Sequence, residues 1–210
     1  MISDAVRLIA DELGTYIELD PRAGFNSNDL VLDNIADLEN DRDRFLSKVI
    51  MTLVNVEEES TLKNGMHYVK NSATGGINYK EPPVFVNLYI LFCATYDSTG
   101  AQYELALHRL SLIIQFFQSK RIFTVHNSPG SSVSTATSLS NEEKNELRIL
   151  LELYTLTFEQ INHLWGSLGG KQVPSVMYKA RLVKVEGKIS QEGPAIEEIQ
   201  ETGKAPYPFK

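Results

Sequence analysis

Apolar residues in the first twenty positions recur at steps of three and four: Ile2, Val6, Ile9, Leu13 and Tyr16 share one helical face. Ser3 and Asp4 can cap that helix, and Asp20-Pro21 ends it near Leu19. GFNSNDL reads as loop, and LVLDNI as a short strand. Over residues 48–59, KVIMTLVNVEEE, the pattern changes to alternation rich in β-branched side chains, which predicts a longer strand. Residues 60–81 are polar, contain Asn64-Gly65 and Gly75-Gly76, and read as a long loop. Loops of that length usually bind something or stay mobile.

Pro82-Pro83 closes that stretch, and VFVNLYILFCATY follows, apolar on both faces. Such a run predicts a central strand covered on both sides. YELALHRLSLIIQFFQSK predicts a helix with Leu105, Leu112 and Phe116 turned inward, and IFTV at 122–125 a short strand. HNSPGSSVSTATSLSN is serine- and threonine-rich and reads as a flexible excursion. ELRILLELYTL admits two readings. Leu147, Ile149, Leu151 and Leu153 alternate with Arg148 and Glu152 as in a strand, whereas Ser140 with Glu143 has the spacing of a helical capping box. The strand is preferred, because Thr157 with Gln160 forms a better placed box that opens the helix FEQINHLWGSL. Gly169-Gly170 then supplies a left-handed C-cap, Val173-Pro174 turns the chain, and SVMYKARLVKVE alternates as a final strand. Trp165 is assigned to the core. Beyond Glu186 apolar residues are too sparse to build a core. The expected organisation is a folded body, 1–186, and an extended tail, 187–210.

Composition narrows the function. In 210 residues, 42% are hydrophobic and 22% charged, ordinary for one globular domain. A net charge of −7, with no dense lysine or arginine run, argues against a nucleic-acid binder. The single cysteine, Cys93, excludes a disulfide framework within the chain and a cysteine-rich zinc site. It lies in an apolar run and is expected to be a buried structural thiol. The N-terminus carries acids and lacks the apolar core of a signal peptide, and no window holds the roughly 18 apolar residues of a membrane span. A soluble, cytoplasmic protein is expected.

Candidate chemistry is sparse. Gly170-Lys171 suggests a phosphate loop, but its first glycine would fall on Trp165 and its magnesium hydroxyl on Gln172. The apolar helical run also precedes these glycines instead of following them. His67, His108, His126 and His163 show no metal-binding spacing, and no G-x-S-x-G elbow precedes a helix. Glu57, Glu58 and Glu59 are consecutive, so a strand cannot turn all three to one face, and they read as a solvated strand end. NDRDR, 40–44, reads as a mixed-charge surface loop. No catalytic residue, metal or cofactor is expected. Aromatic residues in polar surroundings are the candidates for partner binding: His67, Tyr68 and Tyr79 in the long loop, Tyr207 and Phe209 in the tail.

Several ordered pieces carry a resemblance: N-L-Y-I-L-F at 87–92, Y-x-x-A-L-x-x-L-S at 103–111 with the following F-F-Q, L-W-x-x-L-G-G at 164–170, and P-S-x-x-Y-K at 174–179. Together with the opening MISDAVRLIADEL, they resemble the cap, or tail-terminator, proteins of extracellular contractile injection systems, the antifeeding-prophage-like particles related to contractile phage tails. The resemblance implies an α/β (α+β) fold, a mixed sheet flanked by helices as in phage tail terminators. It implies a non-enzymatic role: a hexameric ring that caps the inner tube and holds the last ring of contractile sheath, assembled in the cytoplasm as part of a phage tail-like particle. The implied partners are copies of itself, tube protein and sheath protein. A tube- or baseplate-associated adaptor of the same machine, or a small-molecule α/β enzyme, are the alternatives.

Overall fold

The computed structural model describes residues 2–59, 68–70, 77–80, 83–97, 100–137, 139–169, 171–185 and 190–193. The N-terminal apolar stripe forms α1 (Ile2–Glu18), with Ser3 and Asp4 inside its first turn instead of ahead of it. Asp20 then accepts the Arg22 backbone N–H at 2.9 Å and caps a 3-10 turn, Pro21–Ala23. The strands are β1 (Leu30–Leu32), β2 (Val49–Glu58), β3 (Tyr68–Lys70), β4 (Ile77–Lys80), β5 (Val84–Ala94), β6 (Ile122–Thr124), β7 (Arg148–Tyr154), β8 (Ser175–Val185) and β9 (Ser190–Gly193). Six of them build a mixed sheet in the order β1-β2-β5-β8-β7-β6. β1 runs parallel to β2, and every other neighbouring pair is antiparallel.

β5 lies inside this sheet, as its two apolar faces require. Leu88, Ile90 and Phe92 enter one core, and Leu91 and Cys93 the other. The first face is covered by α1 and by α3 (Gly100–Ser119), whose Ile113, Phe116 and Phe117 share one core with Phe92 and Tyr178. The Phe117 ring centroid lies 4.6 Å from that of Tyr178 and 5.2 Å from that of Phe92. Over the second face lies α6 (Phe158–Ser167), opened by the Thr157–Gln160 capping box and followed by Gly169 at φ +100°. Its one buried residue, Trp165, joins Ile35, Phe45, Ile50, Leu91, Cys93 and Met177.

Three local expectations need correction. The NDRDR stretch is not merely a surface loop: it leads into α2 (Arg42–Phe45), which drives Phe45 to zero exposure beneath the second face. The two readings of the 140–154 region are both realised, because the Ser140–Glu143 box caps α5 (Asn141–Glu146) just before β7 begins. The serine-rich stretch is held in place. It contains α4 (Ser132–Thr135), with Val133, Ser128 and Ser131 buried. One carboxylate organises it: Asp11 Oδ2 accepts from Ser131 Oγ at 3.1 Å, Ser132 N at 2.8 Å and Ser132 Oγ at 2.6 Å. Small hydroxyl side chains can be buried when such an acceptor satisfies them. Asp11→Ala should therefore cost about 1–3 kcal/mol. Hydrogen exchange should accelerate at the 131–135 amides and not at those of β5; unchanged exchange at 131–135 would refute the tether.

Arg109 is the one charged side chain among the described residues that is buried, at 3% exposure. Its guanidinium donates to Ala23 O at 3.0 Å, Gly24 O at 2.9 Å and Ser47 O at 2.6 Å, and lies 5.4 Å from the centroid of the Phe25 ring. Gly24 and Ser47 are both left-handed, at φ 50° and 54°. Arg109 thus holds two irregular turns against α3.

The chain groups into two compact units: Met1–Leu62 with Val84–Val185, and Lys63–Pro83 with Glu186–Lys210. In the second, β4 is the middle strand between β3 and β9, antiparallel to both. The stretch read as a loop therefore carries two strands, and the tail carries a third.

Candidate interface surfaces

α6 covers only part of the second sheet face. Farther along β2, β5, β8 and β7, cross-strand register gathers a polar array on that face through the pairs Asn55↔Tyr89, Glu57↔Asn87, Tyr89↔Lys179 and Glu152↔Lys179. Glu57 accepts Tyr89 Oη at 2.6 Å and Lys179 Nζ at 3.3 Å, and these two donors, the phenol first, hold its carboxyl below the usual carboxylate range. The Lys179 ammonium lies 5.2 Å from the Tyr89 ring centroid. Glu59 accepts Asn87 Nδ2 at 3.0 Å and pairs with Arg181 at 3.5 Å, and Arg181 also reaches Glu152 at 3.4 Å. Glu57 and Glu58 lie at a solvated strand end as expected, and Glu57 and Glu59 are in addition braced by the neighbouring strands. Asn87 Oδ1 and Arg181 Nε are buried without a hydrogen-bond partner among the described residues. Exposed ion pairs contribute little to stability, so a lattice of this kind suits recognition better than reinforcement.

A second surface is apolar. Tyr103, Leu107 and Ile114 form a stripe along α3 and are 44%, 41% and 41% exposed. With Leu153 of β7 (55%), they line an open cleft of about 720 Å³ between α3 and the β7–α6 connection. The walls are mostly aliphatic and aromatic, with Thr155, Gln172 and Ser175 among them.

Of the residues singled out in sequence for partner binding, Tyr68 and Tyr79 are backbone register partners on β3 and β4. His67, Tyr207 and Phe209 lie outside the described residues. The other histidines are separately engaged: His108 lies 3.2 Å from Asp20, His126 is 2.8 Å from Asn145, and exposed His163 is 3.8 Å from Glu159. Hydrogen bonds from Arg22, with a smaller one from His108, hold the Asp20 carboxyl down at about 2. Cys93 is fully buried, and desolvation pushes its thiol far above its ordinary range. Among the described residues no group of three or more His, Cys, Asp or Glu could hold a metal ion, and no helix is long and apolar enough to cross a membrane. The polar array was not singled out from the sequence. Its signal was there: Lys179 and Arg181 stand two apart in β8, as do Glu57 and Glu59 in β2 and its immediate continuation.

The fold is similar to the tube-terminating cap of the anti-feeding prophage, with a TM-score of 0.51 and 13% identity over 82% of this chain and 54% of that one. It is also similar to the sheath/tube terminator of the PVC extracellular contractile injection system in its extended state, with a TM-score of 0.49 and 13% identity over 77% of this chain and 52% of that one. The chain spans about half the length of these two proteins. No curated protein matches it. The family model described as the Pvc16 N-terminal domain matches residues 5–198, nearly the whole sequence. That match agrees with the resemblance read from the motifs at 87–92, 103–111, 164–170 and 174–179, and by it the chain belongs to the Pvc16 N-terminal domain family.

Proposed function

We propose that this protein is a structural cap: it terminates the inner tube and anchors the last sheath ring of a contractile injection system, acting as a hexameric ring. The family match over residues 5–198 carries the reading, and the fold likeness to the anti-feeding prophage cap supports it. A terminator must present one surface complementary to a tube ring and no second surface that copies the tube, so that growth stops. A charged sheet face and an apolar cleft of unlike chemistry suit two unlike neighbours. Closed rings are built from such heterologous contacts.

The partner-contacting residues in this proposal are His67, Tyr68, Tyr79, Tyr207 and Phe209, with the tail laid across an adjacent subunit. Particles assembled without the protein should show tubes of uncontrolled length or detached sheaths by electron microscopy. Normal sheathed particles of uniform length would overturn the proposal. Deleting residues 194–210, which leaves β9 in place, should preserve the circular dichroism spectrum while capping fails. Full capping by the truncated chain would remove the tail from the mechanism.

A further inference from the structure

β6 is only three residues long, so it does not cover the whole of β7. It pairs with Arg148, Ile149 and Leu150, and Leu151 N donates to Arg121 O at 2.8 Å. No described strand lies against the outer edge of Glu152–Tyr154. Backbone direction alternates along a strand, so the N–H and C=O of Leu153 point outward as those of Leu151 do. The Leu153 side chain lies across from Tyr178, on the α3 side of the sheet, beside exposed Tyr103, Leu107 and Ile114. An unpaired edge next to exposed apolar side chains is an invitation to strand addition, and native proteins normally protect such edges. Here β6 stops short of doing so.

We infer that this slot receives residues 205–209 of an adjacent copy, APYPF, added to β7 as a short edge strand in line with β6. The inference rests on the ring proposed above and names the contact that would close it. A residue exchanging hydrogen bonds with Leu153 must direct its own N–H inward, and directly opposite residues share a face of the sheet. In APYPF the residues able to donate are Ala205, Tyr207 and Phe209, and these share one face. When one of them bonds to Leu153, the outward-directed residue of β7 that β6 and Arg121 leave free, the rings of Tyr207 and Phe209 turn to the face of the apolar cleft. Pro206 and Pro208 then fall on the solvent side, where a missing N–H costs nothing and a further strand cannot add. Shifting the segment by one residue would place prolines against Leu153 and leave its carbonyl unpaired. The sequence thus fits this edge in one phase only. Eleven residues, 194–204, separate β9 from this segment, a reach of up to about 40 Å when extended, which serves to cross to a neighbour.

Disulfide trapping in the full-length chain tests the idea. Leu153→Cys is combined in turn with Tyr207→Cys and with Phe209→Cys, with circular dichroism confirming each fold. Leu19→Cys with the same partners is the control, since Leu19 is 76% exposed and lies at the end of α1. Oxidation in concentrated solution and on tube ends should link copies into a ladder of multimers for at least one Leu153 pair. Linkage confined within single chains would overturn the adjacent-copy assignment, and linkage no greater than the control would overturn the slot itself. The two proposals fail separately. Capped tubes without cross-linking would sink the slot alone. Cross-linking, combined with normal tube length in the protein's absence, would sink the terminator reading and keep the slot.

Discussion

Arg109→Met should lower the unfolding midpoint by roughly 6–12 °C, corresponding to about 3 kcal/mol, with little change in far-ultraviolet circular dichroism at room temperature. Methionine fills much of the same volume, so the loss is not a packing defect. It comes from three carbonyls, on buried Ala23 and on the partly accessible Gly24 and Ser47, that lose their common donor group together. An unsatisfied buried acceptor costs about 1–3 kcal/mol, and partial relaxation of the turns keeps the total below the sum. Ser47 adds to the effect, because a non-glycine residue at φ 54° is held against a local preference of about 1–2 kcal/mol. Arg109→Lys is the informative companion. It keeps the charge but cannot span three acceptors with one ammonium, so most of the loss should remain. If the lysine variant melts like the parent, the charge matters and the fork does not.

Trp165→Ala should cost about 3–5 kcal/mol, a midpoint drop of roughly 6–20 °C. Trp165 is the only buried residue of α6, and the second core it joins is much the smaller of the two. A ten-residue helix has no independent stability in water, so without this anchor α6 loses its reason to stay on the sheet. Proteolysis within 158–167 should therefore accelerate more than elsewhere. A variant of normal stability that fails to assemble would make Trp165 an interface residue.

Long periodic or doubly apolar segments were legible in the sequence because burial alone specifies them. α1, β2, β5, α3 and β8 follow directly from where apolar residues recur. The capping box at Thr157 marked one helix start to the residue, while the box at Ser140, set aside for the strand reading, caps a short helix as well. What escaped was structure stabilised by partners distant in sequence. β9 carries few apolar residues and takes shape only by pairing with β4, more than a hundred positions away. The serine-rich segment resembles a linker until Asp11, 120 residues away, is seen to bind Ser131. The polar array was opaque for the same reason: Glu57 and Lys179 are 122 residues apart and meet only through β5. Composition cannot report a register.

The position of Cys93 makes the protein its own clock. It is the only thiol in the chain, sits at zero exposure on an interior strand, and pairs with Ile50 on one side and Ser175 on the other. A thiol reagent can reach it only after the central strands part, an event close to global unfolding. At low reagent concentration the labelling rate would scale with the population of that open state. At saturating reagent it would level off at the opening rate itself. One mass-spectrometric time course would thus yield both the depth and the height of the folding barrier. Followed before and after assembly onto a tube, it would measure how far a bound neighbour slows the sheet from breathing.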